Sequence, residues 1–173
     1  RAVHCLADEA TQAYEHARDA VKDFLNAECR EEIVFTSGTT SAINLVAFCY
    51  GEAFVNEGDE VIVTEAEHHS DIVPWQMMCK RKGAVLKVLP VDDDGYLKVE
   101  MLDELISAKT RILACTHISN VLGIVNPVKQ IIDKCHAEGV PVLVDGAQGI
   151  VHSKVDVQDL DCDFYVFSGH KMY

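Results

Sequence analysis

The sequence predicts an α/β fold of three layers, with a mostly parallel sheet between two layers of helices. Two observations support this: strand-length segments alternate with helix-length segments, and the strand segments are apolar nearly throughout. Strands have such nearly continuous apolar sequences when helices cover both faces of a parallel sheet. Ligands of such sheets bind beyond the carboxyl ends of the strands, so polar residues that follow strands are the candidate site residues.

Helical spacing of apolar residues and short apolar runs place the elements of the first two thirds of the chain. The predicted helices cover much of residues 8–27, the stretch from Ile43 through Phe48, roughly residues 71–82, and a short segment that includes Leu102, Leu105 and Ile106. The predicted strands cover residues 33–35, 61–63, 84–89 and 111–116. Residues 92–95 form a turn by composition.

A helix and two strands are predicted beyond residue 120. Asn126 supplies a capping side chain and Pro127 occupies the first helical position, while Gly139 ends the helix. Strands are predicted over residues 140–144, ending at Asp145, and over residues 163–167.

The amino-acid composition disfavours some classes of binding partner. Twenty-eight acidic and 15 basic residues give a net charge of −13, which disfavours nucleic acids and anionic membranes. The sequence contains no apolar run of about 18 residues, so no membrane span is predicted. Seven widely spaced cysteines without a C-x-x-C pair predict free thiols, a reducing compartment and no zinc knuckle. A cytoplasmic location is expected, with organelle targeting left open because the chain opens at Arg1 without a methionine.

The first candidate segment is residues 36–40, where a predicted strand, a glycine turn and a helix start follow one another. Backbone N–H groups and the hydroxyls of Thr39 and Thr40 can bind an anion there, although an ordinary helix cap is the alternative. The segment matches neither a P-loop nor Gly-x-Gly-x-x-Gly.

Two further candidates follow strands. His68 can stack on a flat ring or act as an acid or base, whereas His69 suits a surface loop. A zinc site at these two histidines is a weaker alternative, and Trp75 is expected to pack in the core. Asn120 can bond to a phenolic oxygen or a carboxylate, and a capping or turn role is the alternative.

The last candidates are Asp145 and the segment around Lys171. A carboxylate that closes a buried strand needs a partner, and a protonated pyridine nitrogen is a suitable one; a turn cap is the alternative. Gln148 can reach a ring oxygen. Lys171, beside Ser168 and His170, can form a Schiff base with pyridoxal phosphate (PLP) while its neighbours hold the phosphate.

These segments resemble the class V aminotransferase branch of fold-type I PLP enzymes, and within it cysteine desulfurases of the SUF type. The matching stretches are Phe35-Thr-Ser-Gly-Thr-Thr-Ser-Ala-Ile-Asn44, Glu67-His-His-Ser-Asp-Ile-Val-Pro-Trp-Gln76, Thr116-His-Ile-Ser-Asn-Val-Leu-Gly123, Val144-Asp-Gly-Ala-Gln148 and Asp161-Cys-Asp-Phe-Tyr-Val-Phe-Ser-Gly-His-Lys171. The resemblance covers nearly the whole chain. It implies that residues 1–173 are part of the large PLP-binding domain, with the C-terminal remainder and the small domain absent.

The resemblance also implies roles. Lys171 would form the Schiff base and move protons at the substrate Cα, His68 would stack on the ring, and Asp145 would pair with the ring nitrogen. Gln148 would contact the ring oxygen, and Asn120 would lie near that oxygen and the substrate carboxylate. The phosphate would be bound by Thr40, Ser168 and His170, with Thr39 nearby. No metal is implied.

The implied activity is conversion of L-cysteine to L-alanine, with sulfur passed to an enzyme cysteine and then to a protein acceptor, as in iron-sulfur cluster assembly, by a homodimer. In the family that cysteine and the substrate-binding arginine lie in the C-terminal part, so none of the seven cysteines is nominated and the fragment alone is expected to be inactive. Acidic neighbours raise the pKa of Cys162 and disfavour its thiolate. Alternatives are a selenocysteine lyase, another class V enzyme, or a non-catalytic scaffold.

Overall fold

The computed structural model describes residues 4–172. The chain divides into two compact units, one made of Arg1–Phe35 with Val155–Asp159 and the other of Thr36–Lys154 with Leu160–Tyr173. Every candidate site residue belongs to the second unit.

The first unit contains the long helix α1 (Cys5–Leu25), which ends at Asn26 in the left-handed conformation with φ of 55°. A 3-10 turn at Arg30–Glu32 follows. The strand predicted over residues 33–35 is wrong. The backbone groups of Ile33 are used locally instead: its N–H bonds the carbonyl of Arg30, and its own carbonyl accepts the Nε–H of Arg18 at 3.0 Å.

The second unit alternates strands and helices as the sequence predicts. Its strands are β1 (Glu60–Thr64), β2 (Val85–Leu89), β3 (Thr110–Thr116), β4 (Val142–Asp145) and β5 (Phe164–Val166). Its helices are α2 (Thr39–Phe54), α3 (His69–Lys82), α4 (Leu102–Leu105), α5 (Val128–Ala137) and α6 (Gly149–His152), while α7 (Val157–Leu160) spans the boundary with the first unit. Short 3-10 turns occupy Val99–Met101 and Gly169–Lys171.

The five strands form one parallel sheet in the order β2-β1-β3-β4-β5. The chain passes from β1 outward to β2 and then returns to β3 on the other side of β1. The carboxyl ends of β1 and β3 therefore flank the point where the strand order reverses, which is where open α/β sheets bind ligands.

Alternate residues of the strands pack into two cores, one on each face of the sheet. Ile62, Leu113 and Val144 lie in one core with Ile131 of α5. Val63, Ala114 and Leu143 lie in the other with Ile43 of α2 and Trp75 of α3. The predicted three-layer arrangement is confirmed, because each face of the sheet buries its own helices.

The predicted cap at Asn126 is wrong. Helix α5 begins at Val128 with Pro127 in the capping position, and no side chain caps it. Asn126 is instead 3% exposed and its Nδ2 donates to the carbonyl of Thr116 at 2.8 Å. It therefore joins the loop before α5 to the end of β3. Among residues 4–172, no helix has the length and apolar character needed to cross a membrane.

Candidate active site

The candidate residues gather at one edge of the sheet because they follow parallel strands. His68 follows β1, Asn120 follows β3, Asp145 closes β4, and Ser168 through Lys171 follow β5. Since parallel strands end at the same edge, the fold alone brings these four segments together.

Asp145 lies at the centre of this edge. The residue is 4% exposed, and its Oδ1 accepts the backbone N–H of Ala147 at 2.9 Å. Burial raises the pKa of the Asp145 carboxyl, whereas the hydrogen bond from Ala147 N–H and then the nearby Lys171 and His68 side chains lower that pKa. No side-chain hydrogen bond within residues 4–172 uses Oδ2, so the second carboxylate oxygen of this buried residue is available to a cationic partner.

His68 occupies the capping position of α3. Its Nδ1 accepts the backbone N–H of Ser70 at 3.1 Å and lies 2.7 Å from the Ser70 hydroxyl. The proton of the neutral ring is therefore on Nε2. His69 lies edge-on to it, with ring centroids 6.1 Å apart. In the part of the chain that the structure describes, no group of three or more His, Cys, Asp and Glu side chains could hold a metal ion.

Ser168 joins the start of α2 to the loop that follows β5. Its Oγ accepts the backbone N–H of Thr39 at 2.8 Å and lies 2.6 Å from Thr39 Oγ1, and both residues are buried. Gly38 has φ of +136°, and a Cβ there would lie 3.3 Å from Ser168 Oγ. Two of the predicted phosphate-binding residues are thus in direct contact, although the turn follows a loop and not the strand that the sequence predicts.

Thr40 and His170 are exposed beside these two residues in the chain, as is Lys171. Asn120 and Gln148 line one open cleft of about 550 Å³, together with the exposed apolar side chains of Val121 and Leu122. The structure therefore groups the candidates as an acid with a lysine and a histidine, a hydroxyl pair, and an amide-lined cleft.

Two acids beside His68, the half-buried Glu67 and the buried Asp71, are absent from the sequence-based candidates. Glu67 Oε1 accepts the Thr64 hydroxyl at 2.5 Å and the Thr116 N–H at 2.7 Å, so Glu67 joins β1 to β3. Asp71 Oδ1 accepts the indole N–H of Trp75 at 2.9 Å. The expectation that Trp75 packs in the core is confirmed, since it is 0% exposed. Asp71 and Trp75 stand four positions apart, a helical spacing that could have indicated their contact.

His117 and Tyr165 form a second pair that the sequence did not indicate. His117 Nδ1 lies 3.0 Å from the Tyr165 hydroxyl, and the rings meet edge to face. Burial lowers the pKa of His117 and raises that of Tyr165. A Cβ on Gly149 would lie 2.5 Å from His117 Nδ1, so the tight contact requires glycine at that position.

Cys162 is half-buried, and its pKa is raised to about 12. Burial is the larger cause, and the carboxylates of Asp163 and Asp161 add to it. The sequence argument from acidic neighbours thus predicts the direction of the Cys162 pKa shift correctly, but it identifies only the smaller of the two causes. At neutral pH this thiol is protonated and a poor nucleophile.

The described part of the chain thus contains a parallel three-layer α/β domain with a lysine, an acid and a histidine at the carboxyl edge of its sheet. The sequence matches the family described as aminotransferase class-V over residues 1–173, and the chain belongs to that family. This family uses PLP as its cofactor.

Curated relatives that match the chain include a cysteine desulfurase of Enterobacter sp. (strain 638). It is 57% identical over 173 residues, which are 100% of this chain and 43% of the relative. A probable cysteine desulfurase of Halalkalibacterium halodurans is 54% identical over 172 residues, or 99% of this chain and 42% of the relative. The chain thus spans less than half the length of these relatives.

Solved structures give the same fold. A cysteine desulfurase from Escherichia coli matches with a TM-score of 0.89 and 46% identity over 99% of this chain and 43% of that chain. The apo cysteine desulfurase of Thermococcus onnurineus NA1 matches with a TM-score of 0.92 and 40% identity over 99% of this chain and 42% of its own. A C-DES variant with glycine covalently linked to its PLP cofactor matches at 26% identity and a TM-score of 0.87, over 98% of this chain and 45% of that one.

Proposed function

We propose that the complete protein is a PLP-dependent cysteine desulfurase that converts L-cysteine to L-alanine and passes the sulfur to a cysteine of the enzyme. The observation that carries this proposal is the position of Asp145, a buried acid that ends β4 with Lys171 and His68 close enough to act on its charge. The names of the relatives at 54–57% identity support the same reaction.

The donor set fits PLP. A buried carboxylate with an unpartnered oxygen suits a protonated pyridine nitrogen, and an exposed lysine suits an aldehyde. PLP, when bound, withdraws electrons from the substrate Cα and so makes its C–H acidic. Lys171 Nζ would anchor the cofactor and then carry the Cα proton.

The other residues would bind and orient. Asp145 would hold the ring-nitrogen proton in place by its negative charge, and His68 would cover one face of the ring. Gln148 and Asn120, which line the same cleft, would donate amide N–H groups to the ring oxygen and the substrate carboxylate.

The phosphate would lie at the start of α2. Backbone N–H groups at the N-terminus of a 16-residue helix attract an anion, and hydroxyls add donors. We place Thr39, Thr40, Ser168 and His170 around it, in agreement with the contact between Thr39 and Ser168.

We further propose that residues 1–173 are one part of a large PLP-binding domain, and that the complete protein is a cytoplasmic homodimer that delivers sulfur to a protein acceptor, as in iron-sulfur cluster assembly. The seven free cysteines suit a reducing compartment.

The test uses the complete protein. It is incubated with PLP and reduced with borohydride, and the modified residue is mapped by mass spectrometry, while alanine and sulfide release are followed with L-cysteine. Label on Lys171 together with alanine formation supports the proposal. Label without alanine from cysteine, but with turnover of L-selenocysteine or another amino acid, would move the assignment to the alternative class V activities. A folded protein without label would favour a scaffold.

A further inference from the structure

Glu67 and Asp71 are two carboxyl groups buried side by side between the sheet and α3. Each uses one oxygen to accept hydrogen bonds, Glu67 Oε1 from Thr64 and Thr116 and Asp71 Oδ1 from Trp75. The remaining oxygens, Glu67 Oε2 and Asp71 Oδ2, are buried without another partner among the described residues, while the two side chains lie within hydrogen-bonding reach of each other.

Two ionised carboxylates cannot remain together in such a place, because burial and their mutual repulsion both oppose the second charge. A single proton between the two free oxygens removes one charge and satisfies both oxygens at once. We propose that Glu67 and Asp71 share one proton, and that this hydrogen bond ties the first turn of α3 to the ends of β1 and β3 and thereby positions His68.

The surroundings favour this protonation state. The thiol of Cys115 on β3 is buried and uncharged beside the pair, and the Asp145 carboxylate at the end of β4 adds negative charge. Apart from Glu67 itself, Asp145 is the charged neighbour that acts on Asp71, and its negative charge raises the pKa of the Asp71 carboxyl. Burial is the largest cause of a raised pKa at both Glu67 and Asp71, and the proton belongs to the pair.

The link to His68 is short. Glu67 precedes His68 in the chain, and Asp71 lies in the first turn of the helix that His68 caps. Asp71 also donates its backbone N–H to the carbonyl of His68 at 2.8 Å. The pair therefore constrains the chain on both sides of His68, the residue that we propose to stack on the cofactor ring. This positional consequence rests on the proposed function, whereas the shared proton does not.

The hydrogen-bond partners make a sharp test possible. Trp75 fixes which atom of residue 71 accepts, and Thr64 with Thr116 fixes which atom of residue 67 accepts. In Asp71→Asn the amide NH2 therefore faces Glu67 Oε2, and in Glu67→Gln it faces Asp71 Oδ2. Either single variant replaces the shared proton by an N–H donor. The double variant turns two donors toward each other and leaves no acceptor.

The experiment measures thermal unfolding of the complete protein without PLP, for the parent, both single variants, the double variant and Asp94→Asn as an exposed control. We expect each single variant to unfold within about 2 °C of the parent at pH 6, and the double variant to unfold several degrees below either single variant. A double variant whose loss equals the sum of the two single losses would overturn the proposal.

The pH dependence gives a readout that packing alone would not change. Above about pH 5.5 the unfolded chain has released nearly all of both protons, whereas the native pair retains one. The native state then binds more protons, so stability falls as pH rises until the raised pKa of the pair is passed. Relative to Asp71→Asn, the folding equilibrium constant of the parent should fall by up to about tenfold per pH unit in that window. Equal pH dependence of parent and variant would also overturn the proposal.

Positioning of His68 is tested separately by the affinity for PLP. We expect the affinity of the parent to fall from pH 7 to pH 9 more than that of Asp71→Asn, because the pair loses its shared proton. If stability follows the expected pattern and PLP does not bind any of these proteins, the proposed function fails and the shared proton stands. If PLP binds with the same pH dependence in both, the positioning role fails.

Discussion

Ser168 Oγ accepts the backbone N–H of Thr39 at 2.8 Å, and this contact ties the start of α2 to the loop that follows β5. The two residues are 129 positions apart in the chain. They join a helix start, where anions bind, to the segment that carries Lys171. The contact therefore fixes the distance between the proposed phosphate site and the proposed reactive amine.

Ser168→Ala removes this contact. We expect a loss of about 1 kcal/mol in the free energy of unfolding, because the buried N–H of Thr39 loses its acceptor, together with weaker PLP binding. Chemical denaturation of the complete protein and PLP titration measure the two effects. Ser153→Ala is the matched control, since its side chain makes no hydrogen bond within residues 4–172. Unchanged stability and affinity would show that the contact is incidental.

Lys171→Ala removes the proposed anchor and proton carrier. The borohydride-reduced label should disappear and alanine formation should fall by about 10²-fold or more. The fold should persist, because Lys171 is exposed. Lys154→Ala, another exposed lysine, should keep both label and activity. A label that survives Lys171→Ala would refute the assignment.

Asp145→Asn keeps the shape of the side chain and its acceptor for Ala147 N–H but removes the negative charge. PLP should still bind, whereas turnover should fall by about 10²-fold or more, because nothing then holds the ring nitrogen protonated. Steady-state kinetics with a PLP titration separate the two. Asp94→Asn, in an exposed turn, should behave as the parent. Near-normal turnover of Asp145→Asn would contradict the role.

Gly146→Ala should destabilise the protein by about 1–3 kcal/mol, because the added Cβ would overlap the ring of Tyr165. The Tyr165 ring would have to move, and its contact with His117 would be lost. Thermal unfolding measures the loss. Gly169→Ala is the control, since nothing lies within 4 Å of its Cβ position. Equal stability of the two variants would mean that Tyr165 moves at no cost.

Cys162→Ala should leave persulfide formation intact in the complete protein. The thiol has a pKa of about 12 and is protonated at neutral pH, so it is a poor sulfur acceptor. Mass spectrometry after incubation with L-cysteine detects the persulfide, and Cys135→Ala, on a buried thiol with a similarly raised pKa, is the comparison. Complete loss of persulfide in Cys162→Ala alone would show that this thiol is the acceptor.

The sequence by itself determined the order and kind of most elements and the parallel sheet. Apolar strands with intervening amphipathic helices have few other ways to bury their surfaces. It also placed His68, Asp145 and Lys171 after strands, and parallel strands bring such residues to one edge. The strand predicted at residues 33–35 failed because apolar content cannot show that the carbonyl of Ile33 is taken by Arg18.

Only the tertiary structure decided which distant groups meet. The contact of Thr39 with Ser168, that of His117 with Tyr165, and the burial of Glu67 beside Asp71 depend on how strands and helices pack. From the sequence alone, a carboxyl group is expected to be a solvated charge. Its actual protonation state is set by desolvation and by the charges around it. Those quantities exist only in the folded chain, which is why the acid pair beside His68 was not predicted.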